Sequence, residues 1–286
     1  MKHIQWFPGH MTKAMRMMED SIKLCDGVLV VLDARAPAAT FNKNLKKLFG
    51  TKPVLYILNK SDLAEEGRVR AFVSIIEKSG AFAMPLSATE ASAAKRVGAK
   101  ISVLLADKRK KDQEKGVCRP DRLMVAGIPN TGKSTVINAL SGEKRAVTGD
   151  KAGVTRGKQW IRCAGFELLD TPGTMPPSFE NQVLARHLAY IGCINDDILD
   201  FDDIALELLK DIAALSPAQL TQRYGIEDFS SPLAMLEQVC KRRGFILRGG
   251  EFDYERGERA LVDDFRKGRI GKICLEDPAE YSPLSF

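Results

Sequence analysis

Residues Gly127–Ser134 read GIPNTGKS, and they stand between an apolar run, Arg122–Gly127 (RLMVAG), and a stretch of helical spacing from Gly132 to about Ser141. The pattern G-x-x-x-x-G-K-[ST], placed where a strand turns into a helix, is a phosphate-binding loop. Its glycines let backbone N–H groups fold around an anion, and the helix N-terminus adds its positive dipole. Asn130, Thr131, Gly132, Lys133, Ser134 and Thr135 are the expected phosphate contacts. Among them, Lys133 reaches the β- and γ-phosphates and the Ser134 hydroxyl ligates Mg2+.

Working outward from this loop, further apolar runs appear at GVLVVLD (Gly27–Asp33), PVLYILNK (Pro53–Lys60) and Ala81–Leu86. Helical patterns lie ahead of the first of them, at Met11–Ile22, and between the later ones, at Gly67–Ser79. Continuous apolar strands alternating with helices predict a parallel sheet covered on both faces. Lys158–Cys163 and Phe166–Asp170 are close enough to pair as a hairpin about Ala164–Gly165. Lys100–Arg119, with seven basic and three acidic residues, reads as a solvated helix end and linker. Beyond Met175 the texture changes. Pro176–Pro177 interrupts the chain, and the rest has helical spacing, with Ser216–Pro217 and Ser231–Pro232 placing a capping serine before a first-turn proline. The expectation is therefore α/β: a mostly parallel, doubly wound sheet domain over residues 1–176, followed by a small all-α domain over 177–286.

Composition bounds what such a chain does. It has 286 residues, 44% of them hydrophobic and 28% charged, which is ordinary globular usage. The longest aliphatic stretch, about Val28–Leu32, is far short of the roughly 20 residues of a membrane helix. The first residues lack the apolar core of a secretory signal, so the expected setting is cytoplasmic, with no membrane partner. Six scattered cysteines, without a C-x-x-C pair, speak for buried thiols rather than a zinc site. The net charge of +6 is compatible with an anionic partner. Within the C-terminal part, Asn195–Asp211 is acidic, whereas Lys241–Lys272 holds ten basic and six acidic residues.

Three more motifs end apolar strands. In DTPG (Asp170–Gly173), Asp170 is placed to hold Mg2+ through water and the Gly173 N–H to face a γ-phosphate. In NKSD (Asn59–Asp62), Asp62 can accept from both the ring N–H and the exocyclic amine of guanine, which adenine does not offer. With Asn59, Lys60, Ser61 and the Ser87–Ala88 turn, that makes a guanine site and selects GTP over ATP. Asn59 lies 68 residues before Gly127, so the base-reading motif precedes the phosphate loop, the reverse of the order in ordinary small GTPases.

With those motifs and that order, the chain resembles the circularly permuted GTPases of the ribosome-biogenesis GTPase A (RbgA/YlqF) type. The likeness rests also on WFPGHM (Trp6–Met11), DARAP (Asp33–Pro37), GVTRG (Gly153–Gly157) and GGEFDYERG (Gly249–Gly257), and it covers essentially the whole length. It implies GTP hydrolysis with Mg2+ held by Ser134, Thr155 and Asp170. It also implies a K+ ion at Asn130, and His10 as the group that orients or deprotonates the attacking water, because Thr174 stands where many GTPases carry a glutamine. His10 as a helix cap or an RNA contact is the alternative. The implied partner is the large ribosomal subunit and its rRNA, met by the helical domain and the basic stretches Lys108–Lys111 and Lys241–Lys272. The expected protein is a monomer without DNA binding that joins immature subunits in the GTP state and leaves after hydrolysis. A GTP-dependent switch for a protein partner is the second reading, and an ATP-dependent phosphotransferase is disfavoured by Asp62.

Overall fold

A computed structural model of the chain describes residue 4, residues 10–142, residues 159–283 and residue 286; the side chains of His10 and Gln159 lie outside the described part. Helix α1 (His10–Ile22) leads into β1 (Gly27–Asp33), α2 (Lys43–Phe49), β2 (Val54–Asn59), α3 (Glu66–Lys78) and β3 (Phe82–Leu86). Helices α4 (Ala93–Leu104) and α5 (Ala106–Glu114) follow, then β4 (Asp121–Ala126), α6 (Lys133–Ser141), β5 (Gln159–Cys163) and β6 (Phe166–Asp170).

The six strands form one sheet in the order β3-β2-β1-β4-β6-β5, parallel throughout except for the antiparallel β5–β6 hairpin. Each strand side chain points to the face opposite its neighbour's, and β1 shows why both faces are apolar. Val28, Val30 and Leu32 pack with Met18 and Ile22 of α1, Leu45 and Phe49 of α2, and Phe72 and Ile76 of α3. Leu29 and Val31 pack on the other side with Val97 and Ile101 of α4 and Val136, Ile137 and Leu140 of α6. The sheet is thus doubly wound. From β1 the chain steps outward through β2 and β3, and from β4 it crosses to the opposite side, to β5 at the edge and back to β6, so the carboxyl ends of these two central strands form the switch point where ligands bind in open α/β sheets.

The remaining helices are α7 (Gln182–Tyr190), α8 (Phe201–Leu215), α9 (Pro217–Tyr224), α10 (Pro232–Arg243) and α11 (Tyr254–Arg266). Ser231 accepts from the Ala234 N–H at 3.0 Å and Pro232 opens α10, as the serine–proline pair leads one to expect. Their core, built on Leu208, Leu209, Leu236, Val239 and Leu261, continues into Met11, Ile128 and Met175. Within the span assigned to the helical domain, the last residues return to the sheet. The Ile273 N–H donates to Leu63 at 3.1 Å and the Leu275 N–H to Arg35 at 2.8 Å. Phe286 sits 5.1 Å from the ring of Phe41, and its carbonyl accepts from Lys46. The aromatic side chains of the tail complete the core under α1–α3, which keeps that end on the sheet.

Both basic stretches carry ion pairs that the sequence did not announce. Lys100–Arg119 comprises the end of α4, all of α5, which the sequence reading did not separate, and a short connection to β4. Within it, Lys108 pairs with Asp121 at 2.7 Å and Asp112 at 2.8 Å, and Arg109 with Asp121 at 2.6 Å. In Lys241–Lys272, Arg243, Arg259, Arg266, Lys267 and Arg269 are likewise ion-paired. Many of these basic side chains therefore neutralise the molecule's own acids. Among the described residues, no helix is long and apolar enough to cross a membrane.

Candidate functional site

The carboxyl ends of β1, β2, β4 and β6 meet at the switch point, and each carries one of the motifs. β4 delivers Gly127, whose φ is +147° and whose Cβ, if present, would lie 2.5 Å from the Val31 carbonyl oxygen. Only glycine fits there. The loop then turns through Asn130 at φ +61° and Gly132 at φ +91°, and α6 begins at Lys133. The Lys133 ammonium donates to the Ile128 carbonyl of its own loop at 2.7 Å. Burial pulls its pKa down to about 8, with the Asp170 carboxylate working against that pull. An anion in the loop would complete what Asp170 begins.

The guanine motif is tied to this loop by side chains. Asn59 donates through Nδ2 to the Thr131 carbonyl at 2.9 Å and accepts at Oδ1 from the Ala88 N–H at 3.1 Å. It braces the 59–62, 87–88 and 130–132 segments against one another. Lys60, in the left-handed region at φ +59°, donates to the Asn130 carbonyl at 2.8 Å and pairs with Asp33 at 2.9 Å. Asp62 is exposed in the short turn beyond Lys60, and Ser87 and Ala88 are buried at the end of β3. Asn59 and Lys60 thus hold the loops in place, with Asp62 exposed beyond them.

Asp170 is buried at the end of β6, in register with Val125 of β4. A Cβ on Gly173 would fall 2.7 Å from the Pro129 backbone nitrogen and 3.0 Å from Lys133 Nζ, so the cradle requires glycine there. The donors at hand, a hydroxyl on Ser134 and a carboxylate on Asp170, are hard oxygens, and Mg2+ takes one or two such protein ligands beside phosphate and water. The residues fit that ion. Thr174, next in the chain, has its N–H on the Gly127 carbonyl at 3.3 Å and its carbonyl on Asn42 at 3.2 Å. Its buried hydroxyl meets no hydrogen-bond partner among the described residues.

Thr155 and the Gly153–Gly157 segment lie outside the described residues, as do Trp6–Gly9. His10 is the first residue of α1. Its neighbour in the helix is anchored: Met11 Sδ accepts from the Met175 N–H at 3.3 Å, two residues past Gly173. Ile4 exchanges bonds with the Gln182 side chain, at 2.8 Å from its N–H and 3.3 Å to its carbonyl. Of the other histidines, His3 is outside the described part, and His187 is buried with Nδ1 3.3 Å from Glu276.

Sequence reasoning assigned no role to Asp33 and Arg35, although both lie in DARAP. Asp33 is fully buried, yet Arg35 grips it at 2.9 and 2.7 Å and Lys60 adds a third cation contact. Burial pushes its carboxyl up, but these charges overcome it and hold the group well below the usual carboxylate range. The available signal was an acid ending a strand of seven buried positions.

Comparison with known proteins points the same way. A family model described as "50S ribosome-binding GTPase" matches residues 122–221, starting in β4 and leaving Asn59–Asp62 outside the match. The ribosome biogenesis GTPase A of Bacillus cereus is 36% identical over 97% of this chain and 95% of its own length. That of Priestia megaterium is 36% identical over 97% and 98%. The crystal structure of GNP-bound YlqF from Thermotoga maritima superposes with a TM-score of 0.64 at 28% identity, covering 93% of this chain and 98% of the other.

Proposed function

Because this chain belongs to the ribosome biogenesis GTPase A family, it is a GTPase acting in ribosome assembly, and we propose that it binds immature large ribosomal subunits in the GTP state and leaves them after hydrolysis. The observation that carries this reading is the convergence of the guanine, phosphate and DTPG segments at one end of the sheet, braced by Asn59 and Lys60 and continuing directly into the helices.

In this reading Asp62 and the Ser87–Ala88 backbone read guanine, while Asn59, Lys60 and Ser61 set the loop that carries Asp62. Lys133, with the N–H groups of Asn130 to Thr135, holds the β- and γ-phosphates at the start of α6. Ser134, Asp170 and Thr155 would hold Mg2+, which would supply positive charge beside the phosphates. Gly173 donates its N–H to the γ-phosphate. Asn130 is the residue that would ligate K+. His10 orients or deprotonates the attacking water. Its support is the Met11–Met175 contact, which sets the start of α1 beside the DTPG loop. His10→Ala should lower turnover at saturating GTP by about 100-fold with GTP affinity nearly intact; loss of affinity instead would make His10 a structural residue.

The protein acts as a cytoplasmic monomer, its rRNA contacts coming from residues 177–286. There, Lys241, Arg242 and Arg248 are exposed and, among the described residues, make no ion pair. Pelleting large ribosomal subunits with the protein tests the reading. Co-sedimentation with a non-hydrolysable GTP analogue and release with GDP is the expected result. Equal pelleting in both states, or none, would favour the second reading, a switch for a protein partner.

A further inference from the structure

The phosphate loop is joined to the helices by more than chain continuity. Asn130, at its crest, is held at both ends: its carbonyl accepts from Lys60 at 2.8 Å and its Nδ2 donates to the Gly192 carbonyl at 2.7 Å. From Lys60 the path runs to Asp33 at 2.9 Å and then to Arg35, which grips that carboxylate through two bonds. Arg35 has a further N–H, and it donates to the Arg266 carbonyl at the end of α11 at 3.1 Å, while the guanidinium lies 5.7 Å from the centre of the Phe265 ring. The Arg266 side chain then turns to α7. It donates to the carbonyls of Ala189 at 2.8 Å and Tyr190 at 3.0 Å, and takes Asp196 through two bonds of 2.7 Å. Ala189 and Tyr190 end the helix that leads into Gly192, so the path closes on Asn130.

Gly192 makes the closure tight. Its φ is +76°, and a Cβ there would lie 3.2 Å from Arg266 Nε. The guanidinium therefore packs directly against the turn whose carbonyl Asn130 uses. A helix C-terminus leaves carbonyls without helical partners, and a cation placed on them fixes the last turn.

We propose that Arg266 is a positioning residue for nucleotide binding, holding the Gly192 turn so that Asn130 keeps the phosphate loop ready for GTP. This rests on the reading of residues 127–134 as the phosphate site. Ordering the loop in advance saves part of the free energy that binding would otherwise spend on it. The effect is reciprocal: if Arg266 raises nucleotide affinity, bound nucleotide steadies the 189–196 turn by the same factor, which links the site to the helices.

Arg266→Met keeps the stem of the side chain and removes the guanidinium. In the full-length protein, the dissociation constant for a non-hydrolysable GTP analogue should rise about 5- to 20-fold, with turnover at saturating GTP changed less than about 2-fold. Asn130→Ala opens the same ring at the loop, so adding Arg266→Met to it should cost less than about 2-fold more. Unchanged affinity in the single variant overturns the proposal, and so do effects that multiply in the double variant, since Arg266 would then act by another route. Failure of the wild-type protein to bind the analogue would instead sink the reading of the loop. If Arg266→Met does not fold, Asp196→Asn, which loosens only the ion pair, should weaken binding about 2- to 5-fold; no change there overturns the proposal equally.

Discussion

Asp33 and Asp264 are both fully buried carboxylates surrounded by cations, one at the end of the sheet and one among the C-terminal helices. Asp264 takes Arg223 at 2.9 Å, the Tyr224 hydroxyl at 3.0 Å, Arg269 at 3.1 Å and Arg243 at 3.3 Å, and like Asp33 it is held below its usual range although burial opposes this. The chemistry is the same, but the reach differs. Around Asp264 the bonds join α9, α10 and α11 to one another and stop there. Around Asp33 they run through Lys60 to the crest of the phosphate loop. A buried ion network thus reveals a function only through what its outermost members touch, and neither burial nor a displaced pKa distinguishes the two.

Substitutions can separate them. The largest effect is expected for Asp264→Ala, which should lower unfolding stability by about 3 kcal/mol, toward the low end for a broken buried pair because the arginines left behind reach solvent. Urea unfolding measures this, and GTP affinity of the folded fraction should not change. Asp33→Asn should do the reverse at the site, raising the GTP dissociation constant about 10- to 100-fold, or about 1.4 to 2.8 kcal/mol. If both variants lost stability and kept affinity, the distinction between the two networks would disappear.

A smaller effect marks a third acid, Glu258 of α11. Burial, and then a hydrogen bond and charge repulsion from Asp202, push its pKa up to about 7. A carboxyl that is more basic in the fold than in the unfolded chain stabilises the fold fully below about pH 4.3 and loses that contribution as pH rises to about 7. Glu258→Gln should therefore match the wild-type protein near pH 4 and exceed it by about 1 kcal/mol at pH 8. Equal stability at both values would show that Glu258 is not perturbed.

These networks also mark the limit of reading the chain as text. β1 was legible to the residue because a strand buried on both faces must be apolar along its whole length, and GVLVVLD stops at a charge. The 127–134 turn between β4 and α6 was legible because its glycines answer local demands of the backbone. Helix α5 was folded into a helix end and linker because Lys108 and Arg109 look solvated until Asp121, 13 and 12 residues on, is seen to receive them. The ring through Arg266 had no local signal at all. It depends on contacts such as Arg35 with Arg266 and Asn130 with Gly192, between residues 231 and 62 positions apart. Local motifs are written in consecutive residues, whereas the long-range contacts that brace them are made by the fold.

The most direct test of the account is GTP turnover in K+ buffer with and without isolated large ribosomal subunits. A large rise in turnover on adding subunits, lost in His10→Ala while GTP affinity stays, is the predicted result. Turnover indifferent to the subunits, with GTP still tightly bound, would contradict the assembly role and leave a guanine-nucleotide switch in its place.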